Sequence, residues 1–180
     1  MRLILTSLLL AVSSPRSPAQ LLPAPSPERA VSNFYRSYAA LKVTGLPTAA
    51  AAAKMGPLLS APLQRLIKEA RVKRARCEKA HPGDKPPWVE GDMFSSNFEG
   101  FTGYEVDGAS SPDGPRVAVN VRFEYSEKGQ PKPARWTDEV SLVKQGGHWV
   151  IHNITYGMKG GLGNGFGPSL QGALRGSGCS

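Results

Sequence analysis

At 180 residues, with 40% hydrophobic and 20% charged side chains, the chain suits one soluble domain and is too short for two comfortable ones. Lys and Arg outnumber Asp and Glu by 22 to 14, for a net charge of +8. The cations are spread along the chain without the interleaved aromatics of single-strand binders, so a nucleic-acid role is not expected.

The first residues read as an export leader. Arg2 is a small positive n-region, Leu3 to Val12 a short apolar stretch, and "SPAQ" offers small residues for a cut after Ala19. The apolar run is too short to span a bilayer, and no cysteine near the cut would carry a lipid. The expectation is a periplasmic or secreted protein with a signal peptide at 1–19, a proline-broken linker at 20–26, one domain at 27–157 and a glycine-rich tail at 158–180. Cleavage removes Arg2 and Arg16 and no acid, lowering the charge to +6. In an oxidising compartment the two cysteines, Cys77 and Cys179, invite a disulfide; the alternative is a buried thiol and a free tail cysteine. With no nearby histidine pair, they do not suggest a metal site, and no cofactor is expected.

Ser26 and Pro27 form a helix start, and Val31, Phe34, Tyr35, Tyr38 and Leu41 recur at helical spacing as far as Lys42. Thr48 caps a short alanine-rich helix that stops at Gly56–Pro57. Ser60 caps a third helix, whose apolar stripe of Leu59, Leu63, Leu66, Ile67, Ala70 and Cys77 is interrupted by Arg74. The period then changes from 3.6 to 2. Arg116 to Tyr125, Ala134 to Lys144 and His148 to Tyr156 alternate as strands, and Phe101 to Ser110 is a weaker one. Ser169 to Leu174 forms a last turn of helix docked on the body.

Between helices and strands runs "PPWVEGDMFSSNFEG", Pro86 to Gly100. This stretch, the order of elements and the ending "GGHWVIHNITYG" resemble a family of small exported bacterial proteins with a nuclear transport factor 2-like fold and no defined activity. The resemblance covers roughly residues 27–157. It implies an α+β architecture with the N-terminal helices packed on a curved four-stranded antiparallel sheet, a cystatin-like cone with a cavity open at one end. It also makes a homodimer through the sheet an expectation, but it carries over no catalytic residue. In that setting the Pro86–Gly100 segment crosses the end of the cone as a packed plug. Phe94 and Phe98 would share one helical turn over the core, Asp92 would cap backbone N–H groups, and Trp88 would be the residue to touch any ligand.

Asp138 poses the sharpest chemical question, because Trp136, Val140 and Leu142 share its face. A carboxylate buried there needs partners or a raised pKa. If Gly146–Gly147 is a two-residue turn, Val140 opposes Asn153 and Asp138 opposes Thr155; if Gln145–Gly147 is a three-residue turn, His152 comes within reach of Asp138 as an acid–base pair. The commoner two-residue turn favours the first register. Arg74 either snorkels to water, clamps a carboxylate or phosphate at the cavity, or pairs with Asp138. "GxSxG", "HExxH", paired "CxxC" and phosphate-loop motifs are absent.

The leading expectation is therefore an exported non-catalytic module that binds a small molecule, a peptide or a periplasmic protein. One alternative is a cavity enzyme using Asp138 with His152 or Arg74. The other is an inhibitor or immunity-type protein that binds a toxin or envelope enzyme.

Overall fold

The computed structural model describes residues 26–110, 115–158, 167–176 and 179. The expected leader lies outside the described residues, as does the linker apart from Ser26. Among the described residues the chain is α+β, with four helices and an open four-stranded antiparallel sheet. None of these helices is long and apolar enough to cross a membrane.

The helices begin where side chains satisfy orphan N–H groups. Ser26 Oγ accepts from Arg29 N at the start of α1 (Pro27–Leu41), Thr48 Oγ1 from Ala51 N at α2 (Ala49–Met55), and Ser60 Oγ from Leu63 N at α3 (Ala61–Ala80). A short 3₁₀ turn, Gly56–Leu58, links the last two. Helix α1 lays Val31, Phe34, Tyr35 and Tyr38 across the sheet, and α3 buries Leu63, Ile67, Ala70 and Cys77.

The sheet runs in the order β1 (Gly103–Ser110), β2 (Arg116–Tyr125), β3 (Ala134–Gln145), β4 (His148–Thr155). One face carries Val117, Val119, Val121, Phe123, Trp136, Val140 and Leu142 into the core; the other is polar. The inner space is filled by aromatic rings. Phe94 packs on Tyr38 at 4.8 Å between centroids, Phe123 on Tyr35 at 5.1 Å, and Phe123 stacks on Trp136 at 5.4 Å.

The free edge of β4 is covered, which removes a template for unwanted strand pairing. Leu59 bridges to Ile151 on one side and Ser169 to Thr155 on the other. Ser169 leads into α4 (Leu170–Gly176), which buries Leu170, Ala173 and Leu174 in the common core. The packed unit thus reaches beyond Gly157, and Cys179 is tied to Cys77 on α3 by a disulfide with a Cα–Cα distance of 5.3 Å.

The hairpin register differs from both expectations. Gly146 and Gly147 do form a two-residue turn, with φ of +59° and +81° that glycine adopts without strain, and Gln145 opposes His148. A bulge at His152 then shifts the pairing, so Val140 opposes Ile154 rather than Asn153 or His152. The cause is burial: Ile151 and Ile154 are three apart, an odd spacing that a regular strand would place on opposite faces. The extra residue turns both inward, to 1% and 0% exposure.

Candidate functional site

The Pro86–Gly100 segment forms a plug without a helical turn. Met93, Phe94, Ser95 and Ser96 are fully buried, but Phe98 is exposed, so the two phenylalanines do not share a face. Asp92 decides this. Its Oδ1 accepts from Phe94 N at 2.7 Å and Tyr38 Oη at 2.6 Å, and its Oδ2 from Ser95 Oγ at 3.1 Å. Its own N–H donates to Phe98 O at 2.9 Å, reversing the chain and turning Phe98 outward.

Asp138 is held by the same plug. Oδ2 accepts from Ser96 N at 2.8 Å and Trp136 Nε1 at 3.3 Å; Oδ1 accepts from Gly157 N at 2.9 Å and from Ser96 Oγ. A carboxylate offers about four lone-pair positions, and four donors occupy them. Burial pushes the carboxyls of Asp138 and Asp92 above their ordinary range, against the opposing pull of these donors. Burial, followed by the charge of these carboxylates, likewise pushes the Tyr35 and Tyr38 phenols well up. Gly157 must be glycine here for reasons of space, since a Cβ would lie 1.7 Å from Thr137 O.

The expected partners of Asp138 are elsewhere. The His152 ring turns Nδ1 to Ser60 Oγ at 3.0 Å, so no Asp138–His152 dyad forms. Arg74 gives Nε to Glu78 Oε1 at 2.8 Å and Nη1 to Trp88 O at 3.4 Å, the half-buried, snorkelled arrangement rather than a clamp on Asp138. Thr155 is exposed, and Asn153 Oδ1 accepts from Gln171 N on α4. Trp88 does not stand open to a ligand. It is 4% exposed, has a left-handed φ of +53°, and donates Nε1–H to Ala173 O at 3.1 Å, anchoring α4.

Sequence reasoning passed over Ser96 and Tyr38 as partners of the two aspartates. The signal was present in both cases, since two serines follow Asp92 and a tyrosine lies on the α1 stripe, but nothing local pairs them.

A concavity of about 290 Å³ lies beside the plug, lined by Val43, Thr44, Glu90, Asp92 and Phe98, and two others lie on the other face of the sheet. A groove of about 570 Å³ runs over β1, β2 and β3 between Glu105, Arg122, Glu124, Arg135 and Thr137. Its arginines are engaged: Arg122 pairs with Glu105 at 2.9 Å and Asp107 at 3.0 Å, and Arg135 with Glu124 at 3.4 Å. A second concavity of about 390 Å³ lies between Ser110, Arg116, Ser141, His152, Asn153 and Gln171. Among the described residues no group of His, Cys, Asp and Glu could hold a metal ion. No family model matches the sequence, and no match is found among curated proteins.

Proposed function

We propose that the chain is an exported, non-catalytic binding module of nuclear transport factor 2-like type, which engages its ligand or partner through the outer face of the sheet rather than through a cavity inside the cone. One observation carries this reading. The interior is filled by aromatic rings and by two aspartates whose oxygens are used in holding the plug, while concavities of about 570 and 390 Å³ open on the outer face. A buried acid with its lone pairs occupied has no position from which to take a substrate proton.

Within this reading a partner protein, such as a toxin or an envelope enzyme, suits the first groove. Its rim of mixed charge, Glu105, Arg122, Glu124 and Arg135, is of the kind that gives selectivity and orientation in protein recognition. A second copy of the chain is the competing occupant.

The test is affinity capture from an envelope extract with the wild type and with Arg122→Glu, beside sedimentation of the purified chain. A discrete partner retained by the wild type and lost with Arg122→Glu supports the proposal. A concentration-dependent dimer broken by the same change assigns the face to self-association. A substrate turnover abolished by Asp138→Asn in a folded variant overturns the non-catalytic reading.

A further inference from the structure

We propose that the concavity where β2, β3 and β4 meet α4 is a site for a small hydroxylated anion, whose carboxylate or phosphate group is held by Arg116 and His152. This deepens the binding reading above and rests on it.

The two outer-face concavities differ in charge. Arg122 and Arg135 in the first are each paired with carboxylates. Among the described residues the lining of the second contains no acid, and Arg116 makes no ion pair. Arg175 adds a second positive charge that acts on His152 together with Arg116. An arginine with a free planar fork beside a polar hollow is the arrangement that receives carboxylate or phosphate oxygens.

His152 supplies a donor of fixed direction. Ser60 Oγ, which accepts from Leu63 N as the α3 cap, lies 3.0 Å from His152 Nδ1, and we assign the hydroxyl as the donor of that contact. The ring proton is then on Nε2, which has no partner among the described residues. Burial, then Arg116 and Arg175, holds this imidazole below its ordinary pKa, so near neutral pH it acts as an N–H donor and not as a third cation.

The rest of the wall favours hydroxyl groups over apolar surface. Asn153 Oδ1 is occupied by Gln171 N, which leaves its amide NH₂ as a donor, and Ser141 offers a hydroxyl. Ser110 Oγ donates to Ala118 O and keeps its lone pairs. Gln171 also ties its side chain to His152 O at 2.7 Å, so α4 fixes the wall before any ligand arrives. The volume suits a small ligand.

The experiment is an NMR titration of the full folded chain, disulfide intact, with inorganic phosphate, glucuronate and uncharged glucose. Saturable shifts at the Arg116, Ser141 and Asn153 amides with either anion, and none with glucose, are expected. Arg116→Gln should weaken binding by at least about tenfold, while Arg122→Gln in the other groove should change it by less than about twofold. Preference between phosphate and glucuronate assigns the anionic group. The absence of saturable shifts with both anions, or equal weakening by both variants, overturns the proposal. If partner capture still succeeds in that case, this inference fails alone; if capture fails too, the outer-face reading falls with it.

Discussion

The backbone N–H and the hydroxyl of Ser96 both donate to the carboxylate of Asp138, 42 residues further along the chain. This contact fastens the plug to the centre of β3, and Gly157 N–H adds the chain beyond β4 to the same carboxylate. Asp138→Asn should therefore destabilise the fold by about 2–4 kcal/mol, because an amide NH₂ would face at least one N–H donor. Ser96→Ala should cost about 1–2 kcal/mol, and the double variant less than the sum. Urea unfolding of the four proteins checks this; strict additivity would show that the two residues do not act together.

The raised carboxyl of Asp138 gives a definite sign with pH. Above the unfolded value of about 4 the native state keeps its proton longer than the unfolded chain, so this group's contribution falls as pH rises through the native pKa and is flat beyond it. Asp138→Asn removes the titration. The stability gap between wild type and variant should accordingly be larger near pH 4 than near pH 7, measured by urea unfolding at both. A gap that widens toward pH 7 would mean that the four donors outweigh burial.

The bulge at His152 predicts which side of β4 is sensitive. Ile154→Ala should cost about 2–5 kcal/mol, because the side chain is fully buried opposite Val140. Thr155→Ala should stay within about 0.5 kcal/mol, since Thr155 is exposed. Thermal melts of the two variants decide it; a reversed order would restore the unbulged register.

The Cys77–Cys179 bridge spans 102 positions and holds the chain end beyond α4 against α3. Closing a loop of that length stabilises by about 3–5 kcal/mol in the chain-entropy model. The intact protein should weigh two hydrogens less than the reduced chain, and reductant or Cys77→Ser should lower the melting temperature. Identical melting with and without reductant would remove the bridge from the account.

Much of this architecture is written locally. Ser26, Thr48 and Ser60 mark helix starts because a cap needs only its own next few residues. The alternation of β2 and β3, and the Gly146–Gly147 turn, are equally local. These features gave the α+β class, the order of elements and the placing of Asp138 on the buried face of β3.

Tertiary structure alone decided the rest. The shift at His152 follows from the shared need of Ile151 and Ile154 for the core, a demand that a turn rule cannot see. Asp138 found Ser96 and Gly157 rather than His152 or Arg74 because the plug crosses the sheet at that point, and contacts between distant segments leave no periodicity in the sequence. Trp88 faced inward for the same reason, once α4 returned to offer Ala173 O. Local spacing carries elements and faces; which polar group meets which is fixed only when the chain closes and each buried donor must find an acceptor.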